Sequence, residues 1–141
     1  MGLLPIKKVY GYITRIRKGK VEILVFRHSN PKAGIQIPKG TVESKESTYH
    51  AVIREVKEET GLKDFKVNNL IAEDYWRNDD HVIHHRYFYQ INISNAPDRW
   101  DYEPTGGGNE EGLTFHYFWI SSKDEVELVR GHGDYLNVIF G

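Results

Sequence analysis

The chain has 141 residues, 39% hydrophobic and 28% charged, with a net charge of −1 at pH 7 and no cysteine. That length suits one domain able to bury a substantial core, and no break in composition divides it, so residues 1–141 read as a single domain. The absence of cysteine excludes disulfides, cysteine-based zinc modules and thiol nucleophiles. No apolar run approaches the roughly 20 residues that span a bilayer, and the near-neutral charge argues against a broad nucleic-acid-binding surface. The opening MGLLPIKKVYGY is too short in its apolar part for an export signal, so a cytoplasmic protein is expected.

In chain order, strands are expected over Lys8 to Ile16 and Val21 to Arg27. A short apolar strand in IQIPKG, residues 35 to 40, stops at Pro38 and leads through Lys39 and Gly40 to a helix from about Glu46 to Thr60. Ser44 or Ser47 would cap its start. Gly61 suits the left-handed position after its end. At about 100° per residue, Tyr49, Val52, Ile53 and Val56 form a sector expected to be buried, and Glu55, Glu58 and Glu59 fall in the next one.

Beyond the helix, strands are expected over Phe65 to Glu73, His81 to Ile93 and Leu113 to Ile120. Tyr87, Phe88 and Tyr89 fall on both faces of the second of these, as in a strand covered on both sides. Prolines and a glycine triplet in Asn95 to Gly112 argue against helix or strand there. Its length suits a lid or a substrate-reading loop. A second helix is expected from Ser122, with Ser122 and Glu125 as a capping box.

Three glutamates at positions i, i+3 and i+4 on one helix face repel each other unless a cation or a basic side chain lies among them. Carboxylates are hard oxygen ligands of the kind Mg²⁺ takes while keeping waters for substrate and nucleophile. Such a site suits phosphoryl transfer, where phosphate charge is neutralised and a nucleophile is held in line.

The wider spacing is Gly40, five residues, Glu46, seven residues, then Arg54-Glu55-Val56-Lys57-Glu58-Glu59-Thr60-Gly61-Leu62. This resembles the box of the Nudix hydrolase superfamily at every defined position. The resemblance implies an α/β fold of Nudix type: an α/β/α sandwich with a mixed β-sheet and the box helix following a strand and loop. It implies hydrolysis of a nucleoside diphosphate linked to another group with Mg²⁺ or Mn²⁺. Carried over by position, Glu55, Glu58 and Glu59 look like metal ligands, Glu46 an auxiliary ligand or support, and Arg54 an orienting partner. The resemblance also implies a further glutamate from a later loop, which makes Glu110 and Glu111 candidates for general base or ligand.

Outside the box, Lys39 and Gly40 adjoin the metal residues. Lys39, Arg27 and Arg86 are candidates to meet phosphates, and Trp76 and Trp100 to stack on a nucleobase. His84 and His85 point to opposite strand faces. Without a third nearby ligand, the histidines read as satisfied or surface residues rather than a metal cluster.

Selectivity lies in loops the box does not specify. The aromatic-proline motif of nicotinamide-dinucleotide hydrolases and the upstream signature of coenzyme A hydrolases are missing. So is the downstream proline of the ADP-ribose group, the first proline after the box being Pro97. The IPKG lead resembles both dinucleoside polyphosphate hydrolases and MutT-like triphosphate pyrophosphohydrolases. Tyr75 lies near the tyrosine of the former branch, although its spacing looks short. The expected partner is a small nucleotide.

Two alternatives stand beside the hydrolase: a nucleotide sensor on the same fold, against which all four box glutamates speak, and an RNA 5′-pyrophosphohydrolase. The latter would use Lys7, Lys8, Arg15, Arg17, Lys18 and Lys20 as a basic path. Many relatives dimerise, so a homodimer is left open.

Overall fold

The computed structural model describes residues 4–77, 81–105 and 112–141. In chain order the elements are β1 (Ile6–Arg17), β2 (Lys20–His28), a 3₁₀ turn (Pro31–Ala33), β3 (Ile35–Gln36), β4 (Lys39–Thr41), α1 (Thr48–Thr60) and β5 (Phe65–Arg77). They continue with β6 (Ile83–Ile93), β7 (Trp100–Tyr102), β8 (Phe115–Ile120) and α2 (Leu136–Phe140). The principal strands run in the order β5-β6-β1-β2-β8-β7, with β3 paired to β2 and β4 to β1. β1 and β6 are parallel while the other neighbouring pairs are antiparallel, so the sheet is mixed as expected.

Alternation along the central strands divides the core between two faces. Val9, Ile13, Leu24, Phe26, Ile91 and Tyr117 pack with Ala51, Val52 and Val56 of α1. Tyr10, Tyr12, Ile23, Val25, Phe88 and Ile120 pack on the other face with Leu136 and the C-terminal segment around it. The sheet is therefore the middle layer of an α/β/α sandwich.

α1 begins where Ser47 Oγ accepts from the His50 N–H, and it ends at Gly61 with φ 77°. The buried stripe is rotated from the expected one. Val52 and Val56 are buried with Ala51, Glu59 and Thr60, whereas Ile53 is only partly covered and Tyr49 is 47% exposed. The sheet meets the helix on the side towards the glutamates, so burial and the acidic face overlap at Glu59.

Two local expectations are corrected. Trp100–Tyr102 is a strand paired to β8 inside the stretch expected to be irregular. No helix starts at Ser122: Glu125 Oε1 accepts from the N–H and Oγ of Ser121, which stabilises a turn, and the terminal helix begins only at Leu136.

Candidate active site

α1, β4 and the turn leading into β4 enclose a cleft of about 410 Å³. Gly40, Arg54, Glu55 and Glu59 lie on its acidic side, Lys8 and Lys39 also line it, and Phe26 and Phe115 form an apolar wall. The Lys39 ammonium stands 6.0 Å from the Tyr10 ring centre, on the side of its strand partner. The two phenyl rings stack with centroids 4.2 Å apart.

Pairing between β1 and β4 sets Val9 opposite Gly40, which brings the turn against the helix. A Cβ on Gly40 would stand 1.9 Å from Cδ of Glu55, so the glutamate carboxyl occupies the space any side chain would need. The adjacent Lys39 N–H donates to Glu59 Oε1 at 3.0 Å. Glu59 itself is only 3% exposed.

Arg54 gathers the remaining acids. Its Nε and Nη2 grip the two oxygens of Glu46 at 2.7 and 2.9 Å, while Nη1 donates to Glu55 at 2.8 Å and to Glu58 at 3.3 Å. Nη2 also reaches the Thr41 carbonyl at 3.0 Å, and Glu43 stands 3.4 Å from Nε. The Arg54 hydrogen bonds hold the Glu46 carboxyl at a pKa of about 2. The reciprocal bond to Glu46 pushes Arg54 above its ordinary value, so the guanidinium stays charged.

One guanidinium facing four carboxylates leaves the site with excess negative charge and hard oxygen donors. That donor set, with Glu55 set into the Gly40 cradle, suits a hard divalent cation. Among the described residues, no three acidic or histidine side chains converge as a metal-ligand group. The carboxylates fan around Arg54 instead.

Arg86, Trp76, Arg27 and Trp100 lie elsewhere. Arg86 is 2% exposed on the opposite face, paired with Asp74 at 2.6 Å and Asp134 at 2.9 Å. Trp76 covers it, with the guanidinium 4.7 Å from the ring centre. Neither lines the cleft, because β5–β6 pairing places Asp74 directly opposite Arg86 and the ion pair closes in the interior. Arg27 is exposed and lies over Phe118, away from the cleft lining. Trp100 packs under the end of α1, where its indole N–H donates to the Thr60 carbonyl. Glu110 and Glu111 lie outside the described residues.

Lys8 was expected only as part of a basic path for RNA, and Glu43 was not among the expected site residues. Lys8 reaches the cleft through the nonlocal pairing with Thr41, whose Oγ1 accepts from its Nζ at 2.6 Å, and nothing local signals this. Glu43 lies within the box, where a further acid beside Arg54 was a readable signal.

The NUDIX domain family model matches residues 7–135, and the chain belongs to that family. As a Nudix hydrolase it is an enzyme that hydrolyses pyrophosphate bonds. No curated protein matches it by sequence.

Among solved structures, an Ap4A hydrolase of C. elegans is similar at 21% identity and a TM-score of 0.61, over 84% of this chain and 81% of that one. The M. smegmatis Nudix hydrolase RenU is similar at 12% identity and a TM-score of 0.68, over 94% and 82% of the two chains. The NUDIX domain of Shewanella oneidensis NrtR, solved with ADP ribose, is similar at 14% and 0.64, over 98% and 86%. At these identities the likeness establishes a shared fold.

Proposed function

We propose that the protein is a Mg²⁺- or Mn²⁺-dependent hydrolase of a phosphoanhydride bond in a nucleoside diphosphate linked to another group, with a nucleoside triphosphate or dinucleoside polyphosphate as substrate. The observation that carries this reading is the Arg54 cluster: Glu46, Glu55 and Glu58 bound to one guanidinium beside the Gly40 cradle. The similarity to an Ap4A hydrolase and the IPKG lead support the substrate class.

Glu55, Glu58 and Glu59 would hold the ion, with Glu46 supporting them through Arg54. A bound divalent ion supplies neutralisation of the phosphate oxygens and acidification of water. Arg54 keeps the acids in register, and the Lys39 backbone N–H holds Glu59. Lys8, which lines the cleft, is the basic residue placed to meet the anionic substrate. Phe26 and Phe115 offer an apolar surface beside it.

The RNA reading loses part of its basic path. Arg15 is bound to Glu22 at 2.7 Å, and both Arg15 and Arg17 are paired to Asp98. Their charge is already answered within the protein.

The test is incubation with nucleoside triphosphates, dinucleoside polyphosphates and nucleotide sugars, with Mg²⁺ or with chelator, followed by chromatography of the products. Cleavage that disappears with chelator is expected, and the product pair names the scissile bond. Undiminished cleavage in chelator would overturn the metal assignment, and no cleavage of any substrate would overturn the nucleotide reading.

A further inference from the structure

The last turn of α1 carries Glu58 and Glu59, and the final carbonyls of a helix have no donors within it. Here each has one. The Lys57 carbonyl accepts from the Gly61 N–H at 3.1 Å and the Glu58 carbonyl from the Thr105 N–H at 2.8 Å. The Glu59 carbonyl accepts from the Tyr117 hydroxyl at 2.7 Å and the Thr60 carbonyl from the Trp100 indole N–H at 2.9 Å.

Three of those four donors come from β7, β8 and the residue Thr105 that follows β7, distant in sequence from the helix. Trp100 and Tyr117 are directly opposite in the β7–β8 ladder, and their rings stack with centroids 4.9 Å apart and planes 15° apart. A single stacked pair therefore grips two successive carbonyls. Rotation of the last turn about the helix axis breaks both bonds together. Glu59 is also held at its other end, where its carboxylate accepts from Lys39.

We propose that Trp100, acting with Tyr117, is a positioning residue for the hydrolytic site: it fixes the rotation of the last turn of α1 and so the placement of the Glu58 and Glu59 carboxylates. The inference rests on the hydrolase reading above. Gly61 already closes the helix through its own N–H. The added grip on the next three carbonyls accordingly acts on the turn that bears the two glutamates. Residues that orient metal ligands without touching the ion change metal affinity or activity by about 10- to 100-fold when altered.

The test uses the full chain with Trp100→Phe and Tyr117→Phe, each of which keeps an aromatic ring in the stack and removes one donor. Mn²⁺ binding is measured by titration calorimetry with Mn²⁺ alone, alongside kcat and KM at saturating Mg²⁺ and thermal unfolding. In both variants the Mn²⁺ Kd is expected to rise about 10-fold and kcat to fall by a similar factor, with nucleotide KM little changed. A lowered Tm with wild-type Mn²⁺ affinity and wild-type kcat per folded molecule would make the pair structural only and overturn the proposal. Should Trp100→Phe not fold, Tyr117→Phe carries the same test. A wild-type protein that neither binds Mn²⁺ nor turns over nucleotide would overturn the hydrolase reading and this inference with it.

Discussion

Two arginines, one on each face of the sheet, are surrounded by acids, and they are built for opposite ends. Arg86 is buried on three aromatic rings, with its charge facing Tyr10, Trp76 and Phe88 at 5.8, 4.7 and 5.0 Å from their centres. Two aspartates answer it, and one of them, Asp74, also accepts from the Tyr135 hydroxyl. Arg54 stands at the cleft with its side chain 24% exposed and four glutamates within 4 Å. The first cluster is closed by packing and hydrogen bonds. The second keeps a surplus of negative charge at a solvent-accessible wall, which is the condition for taking up a cation.

The largest effect that would break this contrast lies in the acids. Glu58→Gln and Glu59→Gln should each lower turnover by about 10²- to 10⁴-fold, the range for losing a ligand or proton-transfer group at such a site. Circular dichroism should stay at wild type, because an amide can still accept the Lys39 N–H that Glu59 receives. Wild-type kcat in either variant would remove the glutamates from the chemistry.

Exchanging the arginines separates stability from activity. Arg86→Met should cost about 2–4 kcal/mol in urea unfolding, since it leaves Asp74 and Asp134 without their buried partner. Its kcat per folded molecule should change little. Arg54→Ala should do the reverse, lowering kcat by about 100-fold, as expected when positioned groups are loosened, at a cost of only about 1 kcal/mol for a partly exposed ion pair. Mg²⁺ should raise the Tm of Arg54→Ala, because a ligand of the folded state stabilises it by mass action. Equal losses of stability in the two variants would show that the clusters do not differ as argued.

Gly40→Ala sharpens the comparison at one atom. The added methyl would meet the Glu55 carboxyl at 1.9 Å, forcing that side chain off the cradle. A drop in kcat of about 10-fold or more is expected from such a displacement. Wild-type turnover would mean that Glu55 has room to move without consequence.

Glu55, Glu58 and Glu59 were legible as one face from the spacing of 3.6 residues per turn, whereas Arg54 and Glu46 joined them only through the resemblance of the box. The central strands were legible from their apolar runs, and Gly61 from cap chemistry, which left Ser44 and Ser47 both open for the start that Ser47 takes. The placement of Arg86 and Trp76 away from the cleft was hidden for a nonlocal reason: only the register of β5 on β6 reveals that Asp74 faces Arg86. β7 was hidden because it is three residues long and flanked by Pro97 and Pro104, so its aromatic alternation was outweighed by the breakers around it. The turn at Ser121 to Glu125 spends the capping acid on a local loop, a choice that depends on where the following residues must pack.

The smallest effect concerns His132, which joins the two regions by accepting from the Ile37 N–H at 3.1 Å just before β4. Burial, with Lys39 and Arg86 as neighbouring cations, holds its pKa down to about 3. The Tyr10 ring meets its edge at 5.7 Å. The folded protein therefore keeps this imidazole neutral, whereas the unfolded chain protonates it below about pH 6.5. The unfolded state then binds more protons, so stability is fully present above pH 6.5 and declines as pH falls towards 3, by at most about 1.4 kcal/mol per pH unit from this group. Glu46, held at about 2 by Arg54, adds a loss in the same direction that begins only near its unfolded value of about 4.5. His132→Asn keeps an acceptor near the Ile37 N–H and removes the titration. Urea unfolding at pH 7, 6 and 5 should show the stability gap between wild type and variant shifting steadily in favour of the variant. A gap that stays constant across that window would mean that His132 takes up a proton in the folded state as readily as in the unfolded chain, and its bond to Ile37 would then contribute nothing that depends on pH.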